Sequence, residues 1–209
     1  MHVPANMTTQ SSAWALACVL ALSPASFAET AGSDSYLSRN VAQRIYLGAY
    51  SSYFGDDIRL AQAGYDVVLK LFRLDEDFNL LDVGLGAELL VAFDGRGGSV
   101  NGRPVTPRIT PGLELNWSLR LYLLHLKAAK TRFFIEGQGI NLVIYSRPYP
   151  DGGTNVNIGS NVGLGIATLL DRRELFVTLR LFHTSNGRVY ENNPALNAMG
   201  LVVGLQTGL

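Results

Sequence analysis

The 209-residue sequence has only one cysteine, Cys18, and few charged residues. If the segment containing Cys18 is removed, the remaining chain has no disulfide, no thiol nucleophile and no cysteine-based metal site. Charged residues make up 16% of the chain, and 17 basic residues balance 17 acidic ones. A nucleic-acid-binding protein needs a basic patch. The composition therefore predicts no nucleic-acid partner.

The sequence also lacks a long apolar run. After residue 28, no stretch of eighteen apolar residues could form a transmembrane helix. The run Ala13–Leu22 is too short to span a bilayer but has the length of a signal-peptide core. Small residues follow at Ser26 and Ala28, the two positions that a signal peptidase reads. We predict a signal peptide over residues 1–28, with a buried N-terminal helix as the alternative.

What recurs along the rest of the chain is an alternation of apolar and polar residues. From Ile109 to Leu121, every odd-numbered residue is apolar, whereas the even-numbered ones carry charged, amide or hydroxyl groups or are glycine. Successive side chains point to opposite faces of a strand, so each such segment has one apolar and one polar face. Residues 132–145 change parity partway, as a β-bulge would cause. Alternating segments of about ten residues separated by turns are typical of a membrane β-barrel.

The pattern predicts an all-β fold, an eight-stranded antiparallel transmembrane β-barrel with a polar, side-chain-filled interior. A polar stretch, residues 29–41, is predicted to be a periplasmic N-terminal arm, and residues 42–209 form the barrel. The predicted strands cover residues 42–54, 63–74, 81–93, 107–122, 131–146, 155–169, 173–185 and 197–209.

The direction of the apolar face separates a membrane barrel from a soluble, lipocalin-like carrier. The polar face is rich in glycine, as a narrow interior with interdigitating side chains requires. Its charges have both signs, for example Asp82, Glu88, Arg120 and Arg180, so they can pair inside the barrel. Both features favour the membrane barrel, and the soluble carrier is the weaker alternative.

A candidate catalytic pair lies at the end of the seventh predicted strand. The apolar row from Leu175 to Leu181 continues on the same face with His183 and Ser185. Residues two apart on a strand share a face, so the imidazole can take the proton of the hydroxyl and activate it. An ordinary polar strand end at the headgroup level is the alternative. The other histidine after residue 28, His125, is interpreted as an interfacial turn residue.

The residues around this pair resemble a known family. The run from Arg180 to Gly204 contains His-x-Ser-Asn-Gly, then Asn-Pro and Leu-Asn, and then a glycine-containing last strand. It resembles the lipid A 3-O-deacylases, the PagL-type acyl hydrolases of Gram-negative outer membranes. Residues 132–145 and 155–170 also resemble this family, whereas the earlier strands do so only in architecture.

The resemblance implies an enzyme that removes the ester-linked acyl chain at position 3 of lipid A, in the Gram-negative outer membrane. It implies Ser185 as the nucleophile and His183 as the general base. The Asn186 side-chain amide and the Gly187 backbone N–H would hold the oxyanion. Arg188 is the candidate for binding lipid A phosphates.

The third member of the expected triad departs from the family. The resemblance implies an acidic residue twelve positions after the serine, but Asn197 stands there. Strand parity places Asn197 on the lipid-facing side of the last strand, where it can approach His183. An asparagine carbonyl can fix the imidazole tautomer, but it cannot stabilise an imidazolium as a carboxylate does. Glu191, in the connecting loop, is the alternative acid.

No cofactor or metal site is predicted, because the sequence has no histidine pair, phosphate loop or calcium-binding carboxylate pattern. The expected partners are lipid A or lipopolysaccharide as substrate and the surrounding outer-membrane lipids, with a homodimer left open. The second functional hypothesis is a lipid-binding or structural barrel of the same fold with weak or no catalysis. The asparagine at position 197 argues for that hypothesis.

Overall fold

The structure is a computed structural model that describes residues 40–53, 58–73, 79–94, 99–100, 103–104 and 108–208. The predicted signal peptide, residues 1–28, and residues 29–39 of the predicted arm lie outside the described residues. Within the described residues, no helix is long and apolar enough to cross a bilayer.

Eight long strands form a closed barrel in which the order is β1-β10-β9-β8-β7-β6-β3-β2 and the paired strands are antiparallel. A short hairpin, β4 with β5, pairs separately from the barrel sheet. A 3-10 helix spans Lys127–Ala129. The predicted eight-stranded antiparallel barrel is therefore confirmed. The strands are β1 Val41–Ser52, β2 Ile58–Arg73, β3 Asn79–Asp94, β4 Ser99–Val100, β5 Arg103–Pro104, β6 Ile109–Leu126, β7 Thr131–Tyr145, β8 Val156–Leu170, β9 Arg173–Ser185 and β10 Leu196–Gly208.

Two strands, β2 and β6, extend four or five residues beyond a predicted end. β2 begins at Ile58 rather than at residue 63, because Ile58 and Leu60 point into the barrel while Arg59 points outward. This polarity is the reverse of the rest of the strand, so it hides the strand in the sequence. β6 continues past residue 122, where a register shift leaves Leu123 and Leu124 both exposed. His125 consequently lies within β6 rather than in a turn.

The apolar face of the barrel points outward. Leu47, Leu85 and Leu164 are 61%, 67% and 61% exposed, whereas Glu88 and Arg120 are 0% and 1% exposed. A soluble carrier would have the reverse arrangement, with apolar side chains inside and charges in water. The lipocalin-like alternative is therefore wrong, and the outer surface matches an apolar band facing lipid.

Buried ion pairs and aromatic side chains fill the interior. Glu136 accepts hydrogen bonds from Arg120 Nη2 at 2.9 Å and from Arg180 Nη2 at 2.7 Å. Such pairing compensates for the removal of the charges from water. Interior glycines leave room for the rings: a Cβ at Gly64 would collide with the ring of Tyr46. The predicted side-chain-filled interior is confirmed.

A β-bulge in β7 confirms the predicted change of parity. The register with β8 shifts between Gln138 and Asn141, and both of these side chains point inward. Between them, Ile140 is 79% exposed. The indole of Trp117 lies against Gly139 so closely that a Cβ at Gly139 would collide with it. The bulge therefore seats an aromatic ring on the lipid-facing side, one strand away from β8.

The connections identify the two ends of the barrel. Short segments, residues 74–78, 127–130 and 171–172, connect strands at one end. The other end has one short connection, residues 53–57, and three longer ones, residues 95–108, 146–155 and 186–195. Outer-membrane barrels have short turns in the periplasm and longer loops outside the cell. β9 runs towards the end with the longer loops, so Ser185 lies at that end.

Candidate active site

The predicted pair of His183 and Ser185 lies where β9 ends, between the neighbouring strands β8 and β10. In the strand register, His183 stands opposite Asn197 of β10 and opposite Ser160 of β8. All three side chains are half-buried, and they belong to the outward rows of their strands. A cluster of polar groups thus interrupts the apolar outward rows of these three strands.

The imidazole of His183 joins the serine to the asparagine. Its Nδ1 lies 2.8 Å from Asn197 Oδ1, and its Nε2 lies 3.3 Å from Ser185 Oγ. Since the amide oxygen only accepts, Nδ1–H donates to Asn197, and this tautomer leaves Nε2 able to accept from the Ser185 hydroxyl. The arrangement has the connectivity of a nucleophile, a base and an orienting group.

The loop carboxylate Glu191 does not take part in this arrangement. Its side chain is exposed, and the hydrogen bonds of both His183 ring nitrogens go to Ser185 and Asn197. Asn197, and not Glu191, therefore lies against His183, as strand parity predicts. The reason is the direct cross-strand pairing of residues 183 and 197, which brings their side chains together without help from the loop.

The Asn186 side chain is occupied in building the loop. Its Nδ2 donates to the Asn192 carbonyl at 2.5 Å, and its Oδ1 accepts from the Arg188 N–H at 3.0 Å. Its backbone N–H donates to Asn193 Oδ1 at 3.0 Å. These bonds hold both ends of the loop together. The Asn186 side chain is thus directed to the loop, on the opposite side of β9 from His183, as its buried position also indicates.

Gly187 brings a backbone N–H to the serine. It donates towards Ser185 Oγ at 3.4 Å, and its φ of 65° lies in the left-handed region that favours glycine. A Cβ at this position would stand 2.9 Å from Ile158 Cδ1, so the backbone approaches β8 closely. The Gly187 N–H therefore reaches the site from the β8 side.

Arg188 lies at the tip of the turn that begins at Asn186. The Val189 N–H closes this turn by donating to the Asn186 carbonyl at 3.2 Å. The Arg188 side chain is exposed, as are Val189 and Tyr190 at 73% and 59%. The turn thus presents one cation and two apolar side chains above the strand ends.

The residue motifs around His183 and Ser185 do not include Ser160. The signal that could have found it is the parity of β8, where Ser160 is the one hydroxyl in the outward row between Val156 and Ile166. Its closeness to His183 depends on the register of β8 against β9, which the residue pattern alone does not give. Within the described residues, no group of three or more His, Cys, Asp or Glu side chains could hold a metal ion.

Comparisons with known proteins agree with this architecture. A family model described as lipid A 3-O-deacylase (PagL) matches residues 100–206. The structure is similar to that of the outer membrane enzyme PagL, with a TM-score of 0.57 and 13% identity, over 77% of this chain and 97% of that one. It is also similar to Neisserial surface protein A (NspA), with a TM-score of 0.51 and 13% identity, over 81% of this chain and 96% of that one.

No curated protein matches the sequence. The two structural likenesses show a shared barrel fold at low sequence identity. The family match establishes more than the fold. Residues 100–206 make up more than half of the 209 residues and include all of β8 and β9 and most of β10. The chain belongs to the lipid A 3-O-deacylase (PagL) family.

Proposed function

We propose that this chain is an outer-membrane serine esterase that removes an ester-linked acyl chain from lipid A, with Ser185 as nucleophile and His183 as general base. The observation that carries the proposal is the imidazole of His183, which contacts Ser185 on one side and Asn197 on the other. The family and the barrel fold imply the Gram-negative outer membrane as its location. We expect export by a signal peptide that is removed after Ala28.

In the acylation step, Ser185 Oγ attacks the ester carbonyl carbon while its proton passes to His183 Nε2. The resulting tetrahedral intermediate collapses when the C–O bond to the sugar breaks. His183 Nε2–H then protonates the leaving alkoxide, which leaves an acyl-serine ester. The starting tautomer for this sequence is the one that Asn197 Oδ1 selects by accepting from Nδ1–H.

In the deacylation step, water attacks the acyl-serine carbonyl and gives its proton to His183 Nε2. His183 Nε2–H then returns this proton to Ser185 Oγ as the bond to the acyl carbon breaks, which releases a free fatty acid and restores the hydroxyl. Water must therefore reach the site, and the end of β9 on the extracellular side meets this requirement. The fatty acid leaves directly into the surrounding lipid, because the outward rows of β8, β9 and β10 are apolar below the site.

The oxyanion of the tetrahedral intermediate needs hydrogen-bond donors. The Gly187 N–H already points towards Ser185 Oγ and is the donor that the geometry supports best. The sequence also suggested the side-chain amide of Asn186. In this proposal Asn186 instead holds the loop through Asn192 and Asn193, and this loop positions the Gly187 N–H.

Asn197 limits the rate in this proposal. Its carbonyl orients the imidazole, but a neutral amide gives little stabilisation to the positive charge that His183 gains during attack. Replacing the acid of a serine triad by asparagine lowers kcat by about 10⁴-fold when the tautomer is wrong. Here the tautomer is the productive one. We therefore expect slow but measurable hydrolysis.

Lipid A is the proposed substrate because the site faces lipid at the extracellular end and because of the family to which the chain belongs. The family description supports the ester at position 3 as the bond that is cut. Arg188, exposed at the tip of the neighbouring turn, is proposed to bind a lipid A phosphate. No cofactor takes part in this chemistry.

Mass spectrometry of lipid A tests the proposal. The full-length protein is expressed in a Gram-negative host that lacks such an enzyme, beside Ser185→Ala and a control, Ser51→Ala, which changes an exposed serine on β1. We expect the loss of one ester-linked acyl chain with the wild type and the control, and intact lipid A with Ser185→Ala. Heat-modifiable migration on gels shows that all three proteins are folded.

The second candidate function is a lipid-binding or structural barrel with weak or no catalysis, and the uncharged third position at Asn197 favours it. That function predicts intact lipid A in all three strains, even at high expression and long incubation. Equal loss of an acyl chain with the wild type and with Ser185→Ala would contradict the assignment of the nucleophile.

A further inference from the structure

We infer that Ser160 is a substrate-binding residue of this site and that its hydroxyl donates a hydrogen bond to the carbonyl oxygen of the scissile acyl ester. The inference rests on the proposed esterase function and extends it to a residue on a third strand. It starts from the strand register, in which Ser160 stands directly opposite His183.

Ser160 is a polar residue in an otherwise apolar outward row of β8. On the outward row of β8 its neighbours are Ile158 and Val162, which are 40% and 48% exposed and face lipid. Within the described part of the chain, no hydrogen bond to the Ser160 hydroxyl is formed. This hydroxyl is therefore available to a ligand that accepts a hydrogen bond at this position.

His183 lies between β10 and β8, and these two strands place different groups beside it. On the β10 side, Nδ1 is taken by Asn197. On the β8 side, the Gly187 backbone lies against Ile158, which is the cross-strand partner of Ser185. Ser160 follows two residues after Ile158 on the same face. Both the Gly187 N–H and the Ser160 hydroxyl therefore lie on the side of Ser185 that faces β8. Gly187 lies on the loop side of Ile158, and Ser160 lies on the other side of Ile158 along β8.

This placement suits the acyl end of a lipid ester. The acyl chain must run from Ser185 down into the bilayer, so its polar end, the ester carbonyl, lies beside Ser185. When Ser185 Oγ bonds to the carbonyl carbon, the carbonyl oxygen becomes an oxyanion. Ser160 O–H and Gly187 N–H both donate to this oxygen, and neither loses its proton. Donors aimed at the developing charge accelerate acyl transfer.

An isosteric pair of variants isolates the hydroxyl. Ser160→Thr and Ser160→Val have the same shape, and both β-branched residues suit a strand. Only Thr keeps the hydroxyl. We expect Ser160→Val to lower kcat/KM for ester hydrolysis by about tenfold to a hundredfold, since a donor to the carbonyl oxygen is lost from the bound ester and from the oxyanion. Ser160→Thr stays close to wild type. Val162→Thr, which adds a hydroxyl to the next outward position, is the control and leaves kcat/KM unchanged.

A binding measurement separates this inference from the proposed function. In the Ser185→Ala background, the full-length protein in lipid nanodiscs is titrated with 6-O-decanoyl glucose and with 6-O-decyl glucose, an ether that lacks the carbonyl. Trp117, the one tryptophan after residue 28, sits against Gly139 in the bulge opposite Ser160 and reports binding by fluorescence. We expect tighter binding of the ester, a preference that Ser160→Thr keeps and Ser160→Val loses.

The outcomes are distinct. If the wild type hydrolyses no ester but Ser160→Val alone loses the preference for the ester probe, the proposed function fails and the inference stands. If hydrolysis is observed while both variants equal the wild type in kcat/KM and in ester preference, the inference is overturned and the function stands. If neither hydrolysis nor an ester preference is found in any variant, both are overturned.

Discussion

The interior and the outer surface of this barrel use polar residues in opposite ways. Inside, nearly every strand contributes charged or amide groups, and they bind one another: Glu136 alone joins Arg120 and Arg180. Outside, the strands are apolar, and polar groups gather where His183 meets Asn197 and Ser185. A polar residue in the interior therefore has a structural reason, namely its partners. A polar residue on the lipid face lacks that reason, which makes it a candidate for chemistry.

The largest expected effect concerns the outer surface. His183→Ala should lower ester hydrolysis by about 10⁴-fold or more, as loss of a base from a serine site does. The free energy of unfolding should hardly change, because His183 is half-buried and faces outward. Turnover of a lipid ester and urea unfolding in micelles measure the two quantities. If His183→Ala failed to fold, His183 would be needed for stability, and the contrast between interior and outer polar residues would be contradicted.

The interior should give the opposite result. Glu136→Gln removes the charge that pairs with two buried guanidinium groups, Arg120 and Arg180. We expect the free energy of unfolding to fall by about 3 kcal/mol, because breaking a buried pair leaves uncompensated charge. The matched control is Leu164→Ala on the lipid face, measured by the same urea titration. Equal stability of Glu136→Gln and wild type would contradict the structural role of the interior network.

A smaller effect on ester hydrolysis is expected from substitutions of Asn197. Asn197→Asp places a carboxylate 2.8 Å from His183 Nδ1, where the amide oxygen now lies. A negative charge stabilises the imidazolium that forms during attack, so kcat should rise by about tenfold to a hundredfold. Asn197→Ala should lower it. A decrease in kcat with Asn197→Asp would show that the amide serves a purpose other than orienting the imidazole.

The smallest effect is expected in the loop. Glu191 is exposed, and the ring nitrogens of His183 bond to Asn197 and Ser185 instead, so Glu191→Gln should change ester hydrolysis by less than about twofold, as surface substitutions do. The comparison of Glu191→Gln with Asn197→Ala in one turnover assay decides which residue completes the site. Abolished activity in Glu191→Gln alone would move the third position from the strand to the loop.

Strand parity predicts most of this architecture. Alternation with a period of two, repeated in eight segments, predicts the eight strands of the closed barrel. It also predicts the direction of the faces, since the apolar row can face lipid and the charges of the polar row can pair inside. Parity also puts His183, Ser185 and Asn197 on one face. It fails at the start of β2, where the apolar side chains of Ile58 and Leu60 point into the barrel.

The parts of the site that the sequence does not predict depend on register and on loop hydrogen bonds. Ser160 lies 23 residues before His183 (183 − 160), and only the pairing of β8 with β9 brings them together. The Asn186 side chain fits an oxyanion role by its chemistry, yet its bonds to Asn192 and Arg188 hold the loop. Side-chain amides serve either purpose equally well, so residue type alone cannot distinguish them.

Covalent labelling tests the central claim, that the polar cluster on the lipid face activates Ser185. The purified barrel in micelles is treated with a fluorophosphonate that has a decyl chain, and peptide mass spectrometry identifies the modified residue. We expect phosphonylation of Ser185 in the wild type and in Glu191→Gln, and none in His183→Ala. Absence of label on Ser185 in the folded wild type, or equal labelling of Ser185 in His183→Ala, would contradict it.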